Sequence, residues 1–246
     1  MEQHCRVILK SLNVIHERSY HFAQIRTKRI PLDRTVHTSK AVPSFEERAL
    51  EMAIWRSQRL DVLGSTTLIP GVSRGIISYQ VPIRQTDKAE SGKAVDLLGI
   101  NEAGEPVVFE LRVGQSPETP LRMLVEALSY AVAMRKAWNE SGALRRQVPE
   151  LVRKLNPNVS LHDGPLLEVP IVGIAPTEYW DRCLGRSGAK GKVPQAAWPP
   201  FGDLVRACRV RGFPAYFVQF DVGGKDVNGL PTVSRFRVVD ELKKYI

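Results

Sequence analysis

The chain has 246 residues, 43% hydrophobic and 25% charged, with a formal net charge of +9. That length suits one large domain, with or without an appendage. No apolar run approaches the ~20 residues of a bilayer-crossing helix. The three cysteines (Cys5, Cys183, Cys208) include no Cys-x-x-Cys pair, which argues against a disulfide framework or structural zinc site. The basic balance favours a polyanionic partner, because phosphate contacts release counter-ions. The charged N-terminus (Glu2, Arg6, Lys10) lacks a signal-peptide apolar core, so the expected location is cytoplasmic, with no membrane association.

Residues 1–40 carry eight Lys/Arg against three acids and no sustained period. They read as a basic N-terminal arm, with Lys28 and Arg29 as candidate nucleic-acid contacts, and 41–246 as the folded domain. The alternative reading is a loosely ordered leader, or an early strand attached to the core. Four of the five histidines lie in it, which argues against a histidine-based active site. A Ser44-x-x-Glu47 capping box after Pro43 opens a helix with an apolar stripe at Phe45, Ala49, Leu50, Ala53 and Ile54, ending near Leu63-Gly64. Residues 67–84 alternate loosely around Gly71 and Gly75, as one or two strands, and 85–94 is polar loop. Strands follow at 94–100 and 106–113, separated by Asn101-Glu102-Ala103-Gly104-Glu105, a strong hairpin signal. The longest helix runs from about Thr119 to Trp138 on an i, i+3, i+4, i+7 stripe. A short helix is expected at 149–155, a buried strand at 168–175, a helix capped by Thr177, a basic glycine-rich loop at 185–192, a helix at 202–211, and strands at 215–222 and 233–239. The order is mixed α/β, an antiparallel hairpin feeding a helical crossover.

The hairpin loop decides the chemistry. With a three-residue loop, Glu102-Ala103-Gly104, and Gly104 in the left-handed bulge position, Asn101 pairs with Glu105 and Asp96 falls opposite Glu110. Glu110 and Arg112 are two apart and share a face. A two-residue turn would put Asp96 opposite Leu111 and scatter the three. Two carboxylates side by side among apolar neighbours repel, at a cost that a shared divalent cation offsets; hard oxygen ligands suit Mg²⁺ or Mn²⁺. A cation could then activate water, and a neighbouring guanidinium could orient a phosphate. The competing reading is a structural ion-pair cluster on a solvated sheet face.

Asp96, thirteen residues, then Glu110-Leu111-Arg112 on a hairpin between two helices resembles the core of the restriction-endonuclease-like PD-(D/E)XK nucleases. The resemblance covers roughly Ser44 to Ala175. It implies a mixed central sheet with an antiparallel hairpin flanked by helices, and metal-dependent hydrolysis of DNA phosphodiesters, with RNA as the alternative substrate. It also implies that Asp96 and Glu110 bind the metal with Glu51 of the preceding helix, ahead of its competitor Glu47, and that homodimers are common. The family's Gln-x-x-x-Tyr on the following helix corresponds to Glu126 and Tyr130, with Arg122 one turn earlier. Three departures stand out: arginine at 112 where the motif has lysine, glutamate at 126 for glutamine, and Val95 where proline precedes the first aspartate. Arg112 keeps the charge but cannot serve as a base; Lys93 is a candidate substitute ammonium. The alternative function is a non-catalytic nucleic-acid-binding or assembly protein on the same fold.

Residues 185–192 fail the Walker spacing, since Val193 follows Lys192 where Ser or Thr is needed. Arg186, Lys190 and Lys192 are candidate DNA-backbone contacts, against a plain surface loop. Trp180, Trp198 and Phe201 are either base-stacking platforms or, more commonly, core. A nucleophilic role for Cys183 is disfavoured by the lack of a suitable histidine.

Overall fold

The computed structural model describes residues 46–63, 66–82, 94–141, 143–186 and 191–245. The basic arm with Lys28 and Arg29, the Ser44 cap, the 85–93 loop with Lys93, and Lys190 lie outside the described residues.

Six strands form one mixed sheet in chain order: β1 (Gly75–Pro82), β2 (Ala94–Ile100), β3 (Pro106–Leu111), β4 (Ile171–Pro176), β5 (Ala215–Lys225) and β6 (Pro231–Val238). The first three are antiparallel, β3, β4 and β5 run parallel, and β6 returns antiparallel. The parallel crossovers carry the helices, as parallel pairing requires: α3 (Pro120–Lys136) and α4 (Ala143–Leu155) between β3 and β4, then α5 (Thr177–Leu184) and α6 (Trp198–Val210) between β4 and β5. Before the sheet come α1 (Glu46–Ser57) and a single turn, α2 (Leu60–Leu63).

Alternation along β2 and β3 separates two cores. Leu98, Ile100 and Val108 pack with α3, α4, α5 and α6 on one face. Leu97, Val107, Phe109 and Leu111 pack with Leu50, Ile54 and Trp55 of α1 on the other. Both faces are covered, so β3 and β4 are buried throughout, as strands in the parallel part of a sheet must be. Trp180, Trp198 and Phe201 are core, with Trp180 Nε1 donating to Val218 O at 3.0 Å; the stacking alternative does not hold for them. No helix among the described residues is long and apolar enough to cross a membrane.

The α/β order and most elements match the sequence reading, and the differences are local. The first helix is interrupted after Ser57, where Arg59 bridges to Ile76 of β1. Pro149 is interior to α4 rather than at its start, so that helix begins six residues earlier than the proline signal suggests. Likewise α6 starts at Trp198, with prolines in its first turn, rather than at Gly202.

The hairpin adopts the expected register. Asn101 N donates to Glu105 O at 2.9 Å, Leu97 pairs with Phe109, and Gly104 has φ +77°. Asn101 Oδ1 also accepts from the amides of Ala103 and Glu105, closing the turn from inside. A Cβ on Gly104 would run into Ser160 O and come within 2.9 Å of Leu161 Cα, so both the backbone angle and the packing require glycine. Gly104→Ala should lower the stability of the protein by at least about 1–2 kcal/mol, measured by urea denaturation. A loss no larger than that of Glu102→Ala, in the same turn, would show that the loop tolerates other geometries.

Candidate functional site

The register sets one row of residues across three strands. Pairing of Leu97 with Phe109 places the preceding Asp96 opposite Glu110, and pairing of Tyr79 with Leu97 and Val81 with Val95 places Gln80 on the other side of Asp96. Asp96 and Glu110 fall on the face of Leu98 and Val108, toward α3. From α1, which packs on β1, β2 and β6, come Glu47 and Glu51, one helical turn apart. Carboxylate oxygens of Glu47, Glu51 and Asp96 lie within 4.8 Å of one another. This cluster could hold a metal ion. Glu47, read from sequence mainly as a capping residue, is therefore part of the acidic centre together with Glu51. Glu110 borders the trio without belonging to it.

The centre is deeply buried for charged groups: Glu51 is 2% exposed, Glu110 and Arg112 4%, and Asp96 8%. Asp96 Oδ2 accepts from the Leu111 amide at 2.8 Å. Glu51 accepts from Gln80 Nε2 through both oxygens, at 2.8 and 2.7 Å. Gln80 reaches it from a left-handed backbone, φ +49°, which is uncommon for a non-glycine residue. Glu110 Oε1 accepts from Arg112 Nη1 at 2.8 Å, while its Oε2 is buried without a hydrogen-bond partner.

Arg112 is the hub of a second, outer group. Besides Glu110 it binds Glu126 through Nη2 and the carbonyl of Leu111 through Nη1, and its Nε lies 2.6 Å from Glu118 Oε2, an ion pair without hydrogen-bond alignment. Glu126 in turn binds Arg122, one turn back on α3. The sequence reading made Arg112 a phosphate-positioning residue. In the fold its guanidinium is enclosed by three carboxylates, so it acts as their counter-ion. Tyr130 lies close enough for Glu110 and Asp96 to be, after burial, the main influences raising its phenol pKa.

Burial in a low dielectric disfavours the charged form of each acid. Burial first, then the Asp96 charge, pushes Glu51 up to about 8 despite the Gln80 hydrogen bonds. Asp96 and Glu110 are also raised, chiefly by burial, against the Leu111 amide at Asp96 and Arg112 at Glu110. Glu47 is raised by burial and by Glu118 and Glu126. Glu126 alone moves down: burial opposes ionisation, but Arg112 and Arg122 outweigh it. Burial alone would lower Arg112; Glu110 and the outer acids instead hold it protonated. Inner acids pushed toward the protonated form, beside an outer Glu126 held ionised, leave the inner centre short of positive charge among the described residues.

The remaining candidates do not converge here as free cations. Arg186 binds Glu241, Asp181 and, at 2.7 Å, Gln219 Oε1. Lys192 donates to the carbonyls of Ser116 and Pro117. Both therefore have partners within the fold, although Lys192 stays exposed. Lys192 and Arg182, which donates to Gly114 O and Ser116 O, tie down the loop between β3 and α3 that carries Glu118. Cys183 is buried, and burial raises its thiol, so it is not an activated nucleophile. The sequence reading missed Gln80 and Glu118. Gln80 is recoverable from strand pairing once its register is known; Glu118 carries no local signal.

The raised Glu51 has a thermodynamic consequence. Between its ordinary value and about 8 the folded state binds more protons than the unfolded one, so this contribution to stability is full at low pH and lost as pH rises to about 8. The metal-free protein should lose a few kcal/mol from this group between about pH 5 and pH 8, and Glu51→Gln should flatten that slope. Urea denaturation across the pH range in a chelator measures it; parallel slopes for the two proteins would contradict a protonated Glu51.

No known protein family, curated protein or solved structure matches the chain.

Proposed function

We propose that the protein is a divalent-cation-dependent nuclease of the PD-(D/E)XK kind, hydrolysing phosphodiester bonds in DNA. One observation carries this reading: Asp96 faces Glu110 across an antiparallel hairpin, next to Glu51 and Glu47, in a buried centre with a deficit of positive charge. The order of helix, hairpin and helix around it supports the corresponding fold. The donor set fits Mg²⁺ or Mn²⁺, since only carboxylate oxygens are offered and Glu110 Oε2 is buried without a partner. Glu51, Asp96 and Glu47 would hold the ion, with Glu110 beside them. A bound divalent cation supplies Lewis acidity toward a phosphoryl oxygen and lowers the pKa of water.

The chain's own residues set the frame for that chemistry. The Leu111 amide fixes Asp96, Gln80 fixes Glu51, and Arg112 fixes Glu110 by one oxygen while leaving the other free. Arg112 thus orients a ligand rather than gripping the phosphate. Arg122, about half exposed and paired to Glu126, is the cation at the rim from which a phosphate can be met.

One observation favours the second reading, a nucleic-acid-binding or assembly protein without catalysis. The position of the motif's lysine holds an arginine that cannot reach a substrate without breaking its pairs with Glu110, Glu118 and Glu126. The deciding experiment is cleavage of plasmid and single-stranded DNA in Mg²⁺ or Mn²⁺ by the native protein and by Glu110→Ala, with Mn²⁺ binding measured for both. The nuclease reading expects cleavage by the native protein and a loss of about 100-fold or more in the variant. Mn²⁺ binding without cleavage, even in Arg112→Lys, would favour the second reading. Absence of cation binding would overturn the metal centre itself.

A further inference from the structure

We propose a second site, a basic cleft on α4 that takes the phosphate backbone of a nucleic acid; it rests on the reading of the protein as acting on nucleic acid. The cleft, of about 470 Å³, lies between α4 and the 161–163 segment. Arg145, Arg146 and Arg153 border it, against Glu150 and Asp163, and Glu150 is already held by Lys154 at 3.1 Å. Arg146 and Arg153 are exposed and make no ion pair or hydrogen bond among the described residues. Arg145 has one long hydrogen bond, Nη2 to Trp138 O at 3.4 Å, and its buried Nε has no acceptor. A guanidinium nitrogen without an acceptor is costly in a folded protein. An anion in the cleft would add a charge partner for the guanidinium as a whole. By contrast Arg186 and Lys192, on the basic loop, are bound to the protein's own acids and carbonyls.

The spacing selects a polymer over a single anion. Arg146 and Arg153 leave the helix seven residues, about 10.5 Å, apart along one face. That distance is close to three steps of one nucleic-acid strand at about 3.4 Å per charge. Placement connects the cleft to the acidic centre. His162 on its wall lies 3.6 Å from Glu105 at the hairpin turn, whereas Glu110 stands five residues along the same strand, roughly 16 Å away. The cleft therefore lies at the turn end of the hairpin and the carboxylates at its other end, with the buried strand between them.

The test uses fluorescence anisotropy of a labelled duplex and of its single strand, in EDTA, across a salt series. Without divalent cations, binding is read separately from cleavage, so this inference and the nuclease reading can fail independently. The native protein should bind with steep salt dependence. R146S/R153S should weaken binding about 10-fold or more and make the log–log salt slope shallower by about 1.8, the share of two phosphate contacts. R209S/K225S, which removes the same charge from exposed positions elsewhere, should do neither. The four substituted residues are exposed, and unchanged thermal unfolding confirms that the variants fold. Equal losses in the two double variants would assign the effect to net charge and overturn the site. Absence of binding by the native protein would overturn it as well. Displacement of the DNA by inorganic phosphate at constant ionic strength would replace a backbone cleft with a single-anion pocket.

Discussion

The constraint on which the rest depends is electrostatic: several carboxylates are taken out of water with, among the described residues, too few cations to neutralise them. Asp96, Glu110 and Glu51 are buried together with Glu47 at their edge, and the one buried cation beside them, Arg112, is shared with Glu118 and Glu126. A charge in such surroundings either finds a partner or gives up its ionisation. Here the two solutions are spatially sorted. The outer Glu126 is held ionised by Arg112 and Arg122, while the inner acids are pushed toward the protonated form. A cation bound there would compete with protons for one set of oxygens, so that metal affinity and proton release would be two measures of the same equilibrium.

The surrounding architecture maintains this arrangement. The hairpin register, fixed by Gly104 and by the Asn101 side chain, aligns Asp96 with Glu110. Immediately after β3 the chain must present Arg112 inward and Glu118 beside it, and this short loop is fastened by Arg182, Lys192 and the Gln115–Glu178 pair. Gly114 in the same loop lies against the Glu178 side chain, where a Cβ would need that carboxylate to shift. Lys192, a candidate nucleic-acid contact in the sequence, is one of the clamps on this loop. Their charge stabilises carbonyl oxygens that would otherwise lack partners.

How much of this the sequence made legible follows from the range of each interaction. The hairpin and the alignment of Asp96 with Glu110 depend on five consecutive turn residues and a period of two, so local pattern suffices. The helix that carries Tyr130 is equally local, but Tyr130 itself was singled out by the family resemblance. Glu51 came from family resemblance, because nothing in 46–57 says which face of α1 meets β2. Gln80 depends on an irregular strand with a left-handed residue, which no periodic reading anticipates. The intramolecular partners of the basic loop were illegible for a different reason. Arg186 meets Glu241, 55 residues away, and Lys192 meets Pro117, 75 residues away. A long basic side chain carries no local mark of whether its charge is used inside the fold or outside it.

The arginine at position 112 illustrates the same limit and sharpens the functional question. A lysine there would offer one point charge and three rotatable donors; an arginine offers a planar fork able to address several carboxylates at once. The fold uses that capacity, with Glu110, Glu118 and Glu126 disposed around one guanidinium. Glu126, where the resembled motif has a neutral glutamine, is thus explained as part of the same change: the added negative charge accompanies a cation that can bind it. The two departures compensate each other, and what they jointly remove is a group free to touch substrate. If phosphate is to be met at this centre, the positive charge among the described residues would come from the rim at Arg122, and Arg146 and Arg153 of α4 sit at the turn end of the same hairpin.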